Sequence, residues 1–263
     1  MSESQSLFEL SGLTAMITGA GSGIGKGIAQ LYVERGAKVI IADRDEATAQ
    51  ATAAELKATA KNTADAMAIV CDVSDEASVK AAFDTAEAAF GTVDILVNNA
   101  GIYYLRPFLE ITVDDWEQVF TVNVRGLFLC MREAILRLKK AGRGGSIVNI
   151  SSVNSQKALI FDNIHYTATK AAVNGITAAS ALEFAEDDIR INAILPGSVV
   201  TEGTAKLRSD SPRRGPILNP ERMPLNRRGE PVDIAAAAVY LASPAASYVT
   251  GQLLAVDGGF QIS

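Results

Sequence analysis

Short runs of apolar, often β-branched residues alternate along the chain with longer stretches of helical pattern. This alternation predicts a parallel sheet covered by helices on both faces, because crossover helices join parallel strands. The expected fold class is α/β, a doubly wound, Rossmann-type parallel sheet. The predicted strands are residues 13–18, 38–43, 67–71, 95–98, 146–150, 189–195 and 253–256. The predicted helices are residues 24–35, 46–60, 75–90, 114–139, 166–186 and 231–242.

The alternation continues without a Pro-rich or Ser-rich linker and without repeats, which predicts a single domain over residues 1–263. Residues 201–230 interrupt it with four prolines, three glycines and many charges. Long irregular segments inside compact domains are often functional. We therefore expect a substrate lid at about 201–230, and a solvated surface loop is the alternative.

Composition and charge narrow the class of function. A hydrophobic fraction of 48% in 263 residues suffices for one buried core, and a net charge of −6 disfavours nucleic-acid binding. No apolar run reaches the roughly 18 residues that span a membrane. The N-terminus, Met1 to Glu9, lacks the basic start and apolar run of a signal peptide. Cys71 and Cys130 are too few for a disulfide framework, so we expect buried thiols and a cytoplasmic location.

A cluster of glycines lies where the first predicted strand gives way to the first helix. The segment Thr18-Gly19-Ala20-Gly21-Ser22-Gly23-Ile24-Gly25 reads G-x-x-x-G-x-G, which differs from the G-x-G-x-x-G dinucleotide fingerprint. Glycines there permit a tight turn and a close approach to pyrophosphate, whose charge faces the first N–H groups of the helix. A plain turn is the alternative, and the strand–glycine–helix context favours a dinucleotide site.

Asp43 ends the second predicted strand, 18 residues after Gly25. A carboxylate at this position can hydrogen-bond the adenosine ribose hydroxyls and repel a 2′-phosphate. Arg44 could attract that phosphate, but Ser22 stands in the glycine segment where a basic residue would favour it. We therefore predict NAD, rather than NADP, as the cofactor.

Tyr166 and Lys170 lie four residues apart on a predicted helix, which places both on one face. A nearby ammonium group favours phenolate and lowers the pKa of a tyrosine toward a range useful for proton transfer. Ser151-Ser152 follows the strand 146–150, and Asn98-Asn99 closes the strand 95–98. The carboxyl ends of parallel strands meet at one edge of a sheet, where α/β sites form. Together these features predict a catalytic centre.

These motifs, with Asn123 in the long predicted helix, resemble the short-chain dehydrogenase/reductase family, from Leu13 to Gly259. The resemblance implies that Tyr166 is the general acid/base and that Lys170 lowers its pKa and holds the nicotinamide ribose. It implies that Ser152 polarises the substrate carbonyl and that Asn123 anchors a water in a proton relay. Ser152 precedes Tyr166 by one residue more than the commonest family spacing, so Ser151 is the alternative hydroxyl. The residues expected at the cofactor, besides Tyr166 and Lys170, are Gly19, Ser22, Gly23, Ile24, Gly25, Asp43, Asp72, Val73, Asn98 with Asn99, Pro196, Val199 and Thr201.

The expected function is hydride transfer between NAD(H) and a small-molecule secondary alcohol or ketone. No metal is expected, because His165 is the sole histidine and no ligand cluster surrounds it. Polar residues near the catalytic pair favour a sugar or polyol; they are Asn154, Gln156, Asp162, Asn163 and His165. An apolar cyclic ketone or steroid is the alternative, favoured by Tyr103, Tyr104, Leu159, Ile160 and Phe161. A 3-oxoacyl reductase and a non-catalytic nucleotide-binding protein are further alternatives. Apolar residues on several faces of the long helices, with the resemblance, predict a homotetramer.

Overall fold

Seven parallel strands form a single sheet in the computed structural model, which describes residues 7–61, 64–203 and 214–263. Their order across the sheet is β3-β2-β1-β4-β5-β6-β7. The strands are β1 (Thr14–Thr18), β2 (Lys38–Asp43), β3 (Asp65–Val70), β4 (Ile95–Asn98), β5 (Gly145–Ile150), β6 (Ile189–Pro196) and β7 (Leu253–Val256). The helices are α1 (Gly23–Glu34), α2 (Glu46–Thr59), α3 (Glu76–Phe90), α4 (Val113–Phe120), α5 (Leu127–Ala141), α6 (Ile164–Glu183) and α7 (Pro231–Ala242). The doubly wound fold predicted from the alternation is confirmed.

The helices bury both faces of the sheet, which explains why its strands are apolar throughout rather than alternating. On one face, α1, α2 and α7 contribute residues such as Ile28, Ala53 and Ala238 to a continuous core. On the other face, α3, α5 and α6 form a second core that contains Phe83 and Met131. Among the described residues, no helix combines the length and the apolar character needed to cross a bilayer.

The strand order reverses between β1 and β4. β1 is flanked by β2 on one side and β4 on the other, so the connections that leave these two strands diverge. A crevice opens at such a point, at the carboxyl ends of the strands, and ligands of doubly wound sheets bind there. The glycine segment follows β1 at this edge, and Asn99 follows β4.

The single helix predicted over 114–139 is wrong in one respect. A π-helical turn, Thr121–Gly126, separates α4 from α5 and holds Asn123. Such turns are uncommon and are frequent near functional sites.

The segment predicted as a lid contains short 3-10 turns at Pro216–Leu218 and Pro220–Arg222, before α7 begins at Pro231. Residues 204–213 of that segment lie outside the described residues. The described part packs on residues 159–161, because Phe161 N–H donates to Arg214 O at 3.0 Å and Ile217 N–H to Leu159 O at 3.4 Å. It thereby forms one wall beside the carboxyl edge of the sheet.

Candidate active site

A cavity of about 840 Å³ lies at the carboxyl edge of the sheet, over the crevice between β1 and β4. Its walls bring together segments that are far apart in the sequence. The predicted site residues that line it are Gly19, Ser22, Gly23, Ile24, Asp43, Asp72, Val73, Asn99, Ser152, Tyr166, Lys170, Pro196, Val199 and Thr201. Gly25 and Asn123 are described but lie behind the lining.

The glycine segment fits closely against the chain that follows β4. Gly19 has φ +64, and a Cβ atom on it would lie 2.8 Å from Ala100 Cα. A Cβ atom on Gly25 would collide with the Gly19 carbonyl oxygen and with Asn99 Nδ2. Gly25 therefore allows α1 to approach the loop, and its place is in the packing beneath the cavity.

The two asparagines after β4 have different partners. Asn99 Nδ2 donates to Thr18 O at 3.0 Å and to Gly19 O at 2.8 Å, which fixes the glycine segment to the end of β4. Asn98 is buried, and its Nδ2 donates to Asn149 Oδ1 at 2.9 Å. Asn99 is thus the residue of the pair that lines the cavity, and Asn98 stabilises the sheet beneath it.

The N-terminus of α1 has donors to offer to an anion. Its N-cap, Ser22, makes no side-chain capping bond, and no acidic residue lies in the first turn. The next two helices are capped differently: Asp45 accepts from Thr48 N–H and Asp75 from Ala77 N–H. N–H groups at a helix start that lack side-chain partners favour a phosphate. Because Ser22, Gly23 and Ile24 line the cavity, this end of it fits the pyrophosphate of a dinucleotide.

Asp43 points its carboxylate at the same end of the cavity. Its Oδ2 accepts from Gly21 N–H at 2.9 Å and its Oδ1 from Asp45 N–H at 3.1 Å. Each carboxylate oxygen has a second lone pair, so both can still accept from ribose hydroxyls. Arg44, the residue that follows Asp43 in the sequence, lines the same region and is positively charged.

Asp72 and Val73 form the neighbouring part of the wall, beyond the end of β3. Asp72 Oδ1 accepts from the Ser74 hydroxyl at 2.6 Å and from Ser74 N–H at 2.9 Å. These hydrogen bonds, with a smaller contribution from Arg44, lower the pKa of the Asp72 carboxyl below its ordinary value. The carboxylate is therefore ionised and fixed in orientation, as an adenine-binding acceptor requires.

Tyr166 and Lys170 occupy the first turns of α6, and both line the cavity. Lys170 is 5% exposed; its Nζ lies 5.5 Å from the centre of the Tyr166 ring and donates to Ile150 O at 2.7 Å. Burial lowers the pKa of Lys170 to about 8. An ammonium group with few competing contacts to water is thus held against the phenol.

The two serines after β5 also differ. Ser151 Oγ lies 2.7 Å from Asn174 Oδ1 and 3.1 Å from Lys170 O, so its proton is used inside the fold. Ser152 Oγ instead accepts from Asn154 N–H at 3.2 Å, and no described residue is seen to accept its proton. Ser152 can therefore donate a hydrogen bond into the cavity, which favours it over Ser151.

Asn123 clamps the loop that follows β4. Its Oδ1 accepts from Ile102 N–H at 2.8 Å, and its Nδ2 donates to Ile102 O at 3.0 Å. Nδ2 also lies 3.2 Å from Thr169 Oγ1 on α6. The side chain connects the π turn, this loop and the helix that holds Tyr166. These contacts do not test the expected role of Asn123 in a water relay, which stays a prediction.

The segment after β6 forms another part of the cavity wall. Pro196 ends β6, Val199 bridges to Gly229, and Thr201 lies next to Gly23 at the start of α1. The sequence pattern did not single out Arg228 as a site residue. Arg228 Nε donates to Ser198 Oγ at 2.9 Å, and Arg228 lines the cavity.

The polar residues near the catalytic pair do not all face the cavity. Asn154 lines it, whereas Gln156 is exposed and Asp162 pairs with Arg214 at 3.2 Å. Asn163 and His165 are buried behind the lining, where no described residue bonds their side chains. Of the five, Asn154 is therefore the residue placed to meet a substrate, whereas the ring of His165 packs against Tyr104.

Comparison with known proteins shows the family to which the chain belongs. A family model described as Enoyl-(Acyl carrier protein) reductase matches residues 19–261. Galactitol 2-dehydrogenase (L-tagatose-forming) of Cereibacter sphaeroides is 43% identical over 261 residues, covering 98% of each chain. A crystal structure of a candidate NAD(P)-dependent gluconate 5-dehydrogenase from Beutenbergia cavernae, with NADP at low occupancy, has a TM-score of 0.89 at 40% identity, covering 98% of this chain and 100% of that one.

A third relative carries the other form of the cofactor. The crystal structure of 3-ketoacyl-(acyl-carrier-protein) reductase from Brucella melitensis complexed with NADH has a TM-score of 0.86 at 37% identity, covering 96% of this chain and 99% of that one. The chain belongs to the short-chain dehydrogenase/reductase family. It is an oxidoreductase that depends on a nicotinamide cofactor.

Proposed function

We propose that this protein transfers a hydride between NAD(H) and a secondary alcohol or ketone that carries further hydroxyl groups, such as a sugar or polyol. The observation that carries the proposal is the buried Lys170 ammonium held against Tyr166, in a cavity that Ser152 also lines. This arrangement brings a proton donor, a cation and a hydrogen-bond donor to one cavity.

Each residue of the site has a proposed task. Ser152 donates a hydrogen bond to the carbonyl oxygen, and Tyr166 transfers its proton to that oxygen as negative charge develops. Lys170 stabilises the phenolate left behind and holds the nicotinamide ribose. The bound nicotinamide supplies the hydride in reduction and accepts it in oxidation. Asn123 keeps the loop 101–103 in register with α6, so that the reacting groups stay aligned.

NAD is the proposed cofactor, because the Asp43 carboxylate, held at the end of β2 by the Gly21 and Asp45 N–H groups, would accept from ribose hydroxyls and repel a 2′-phosphate. The two crystal structures above contain NADP and NADH, so relatives in this family differ in this respect. The deciding experiment compares kcat/KM for NAD and NADP with one alcohol. A higher value for NADP would reject the argument from Asp43.

The hydroxylated substrate class is supported by Asn154 in the lining and by the galactitol dehydrogenase relative. An apolar cyclic ketone or steroid is the second candidate, favoured by Tyr103, Ile160 and Ile217 in the same wall. A 3-oxoacyl thioester is the third candidate substrate class, supported by the similarity to the ketoacyl reductase. A panel of polyols, aldoses, cyclic alcohols and 3-oxoacyl thioesters, followed by cofactor absorbance, separates them, and the highest kcat/KM on an apolar alcohol would reject the polyol proposal.

A homotetramer is proposed as the assembly. Large apolar side chains are exposed on α5 at Phe128 and Leu136, on α6 at Leu182, and near the chain end at Tyr248 and Ile262. Isolated exposed apolar residues are common, but several large ones on two neighbouring helices favour an interface. Light scattering at micromolar concentration is the test, and a monomeric mass would reject the assembly.

A cytoplasmic location is proposed from the two thiols. Cys71 and Cys130 are both free and buried, and burial raises the pKa of each above its ordinary value. Such thiols are protonated and unreactive, as is usual for proteins of reducing compartments. Fractionation of the native host, with the protein followed by antibody, would test the location.

A further inference from the structure

Asn154 is the buried polar side chain in the cavity that the reaction leaves unexplained. It belongs to the short 3-10 turn Val153–Ser155, which follows Ser152 at the end of β5. Its side chain is 3% exposed and lines the cavity, and no described residue hydrogen-bonds its Oδ1. Buried amide oxygens are almost always paired with protein, water or ligand, so this atom calls for a partner.

Other buried amides in this region are used by the fold. Asn123 holds Ile102, and Asn149 accepts from Asn98 while donating to Thr177. Asn98 and Asn163 also have a side-chain oxygen without a partner among the described residues, but neither lines the cavity. Within the described part of the chain, Asn154 is thus the residue that combines an unpaired, buried amide oxygen with a place in the cavity lining.

Asn154 is coupled to the proposed carbonyl-binding hydroxyl. Its backbone N–H donates to Ser152 Oγ at 3.2 Å, which directs the proton of Ser152 away from the turn. Ser152 caps the short turn that contains Asn154, and both residues line the cavity, so the two belong to the same part of its wall. A second oxygen on the neighbouring carbon of a substrate would come next to this amide.

We propose that Asn154 is a specificity-determining residue that hydrogen-bonds the hydroxyl on the carbon next to the reacting carbinol. The substrate class is therefore a vicinal diol, oxidised to an α-hydroxyketone. The carbinol hydride passes to NAD⁺, the carbinol proton leaves through Tyr166, and the neighbouring hydroxyl is unchanged. A hydroxyl both donates and accepts, so it suits either end of the amide. The inference rests on the proposed function, since it takes Ser152 and Tyr166 as the groups that bind the reacting oxygen.

The test compares alcohols that differ by the one hydroxyl. The pairs are trans-cyclohexane-1,2-diol against cyclohexanol, and butane-2,3-diol against butan-2-ol, each with NAD. Wild-type protein should have the higher kcat/KM for the diol of each pair. Asn154→Leu keeps the branched shape of the side chain and removes the amide, and it should lower kcat/KM for the diols by about 10- to 100-fold while leaving the mono-alcohols unchanged or improved.

Two further variants guard the interpretation. Asn154→Ser keeps a smaller hydrogen-bonding group and should lie between wild type and Asn154→Leu in diol preference. Gln156→Leu makes the same change in polarity at an exposed residue two positions away, and should leave the diol preference unaltered. Binding of NADH by each variant, measured by fluorescence, shows that the fold is intact.

The outcomes separate the two levels of the argument. A wild-type preference for diols that Asn154→Leu leaves intact would overturn the role of Asn154 and leave the proposed function standing. A wild-type preference for the mono-alcohols would overturn both the hydroxylated-substrate proposal and the role of Asn154. Loss of diol preference in Asn154→Leu, but not in Gln156→Leu, supports both.

Discussion

The ring of Tyr103 lies edge-on against the ring of Tyr166, with 4.8 Å between the ring centres and 62° between the planes. The neighbouring residues form a second pair of the same kind: the ring centres of Tyr104 and His165 are 4.8 Å apart, and their planes make an angle of 61°. Edge-to-face pairs at this separation are favourable. Two consecutive pairs fix the loop after β4 on the start of α6, so the proposed acid/base cannot rotate independently of the cavity wall.

Tyr166→Phe should abolish turnover and preserve cofactor binding, because the ring remains and the transferable proton is removed. We expect kcat to fall by about 10³-fold or more, with the Kd for NADH changed only a few-fold. Tyr103→Phe is the matched control, since it removes the neighbouring phenol from the same aromatic pair and should retain most activity. Stopped-flow and steady-state assays of both variants provide the test, and near-normal activity in Tyr166→Phe would require a different acid/base.

Cofactor affinity should fall as the pH rises through about 8, the pKa to which burial lowers Lys170. The ammonium form predominates below that pKa and is lost above it, so the charge that holds the ribose and stabilises the phenolate disappears with rising pH. The Kd for NADH should increase by up to about tenfold per pH unit above this point. Fluorescence titration with NADH over roughly three pH units, from about 6.5 to about 9.5, measures this Kd. The Kd should rise in the wild-type protein and stay constant in Lys170→Met. Parallel profiles in the two proteins would show that another group titrates.

Asp43→Asn should erode the preference for NAD over NADP. The amide oxygen can still accept from Gly21 N–H, at the loss of the exposed hydrogen bond from Asp45 N–H, while the repulsion of a 2′-phosphate is removed. We expect the ratio of kcat/KM values to move toward NADP by about tenfold or more. Arg44→Ala, a change at the adjacent residue, should move the ratio in the opposite direction. Shifts in the same direction for both variants would contradict this account of the ribose site.

His165→Phe should make the protein less sensitive to acid. His165 is 0% exposed, and burial lowers the pKa of its imidazole below the ordinary value. The unfolded chain therefore binds a proton that the folded protein resists, and stability falls as the pH drops below about 6.5. Phe keeps a ring against Tyr104 and removes the two ring nitrogens that no described residue hydrogen-bonds. Denaturant unfolding at pH 8 and pH 5 should show a smaller loss for the variant, and an equal loss would assign the acid sensitivity elsewhere.

Hydrogen exchange tests the lid expected over residues 201–230. Phe161 and Ile217 donate the backbone hydrogen bonds that tie residues 214–217 to residues 159–161. Ile217 and Leu218 line the cavity, so a bound substrate should stabilise these bonds. Exchange of the two amides should slow when cofactor and substrate are added together. Equal rates with and without ligands would favour a surface loop that does not respond to substrate.

Most of the architecture could be predicted because it follows from local patterns. The buried strands are apolar runs of the expected length, and β1, β2 and β4 were placed within one residue of their observed bounds. The glycine segment, Asp43 and the Tyr166–Lys170 pair lie at the ends of these regular elements. Their positions at one sheet edge therefore follow from the topology alone.

What could not be predicted depends on contacts between distant segments. The sequence predicts Ser152 but leaves Ser151 as an alternative, and the contacts that distinguish them, with Asn174 and with Asn154 N–H, are not visible in any spacing. His165 and Asn154 look alike in the sequence as polar neighbours of the catalytic pair. His165 is buried against Tyr104, whereas the turn Val153–Ser155 places Asn154 in the cavity lining.

The π turn Thr121–Gly126 lies between α4 and α5 and fixes the number of residues that the continuous helical stretch from Val113 to Ala141 can contain. Such a turn holds one residue more than a regular helical turn, so it offsets α5 from α4 by about 100° of rotation. A deletion of one residue there would restore ideal helical bonding, yet it would turn either Asn123 away from Ile102 or the apolar side of α5 away from the sheet. Surface loops tolerate insertions and deletions, but an insertion or deletion of one residue between α4 and α5 should therefore abolish activity.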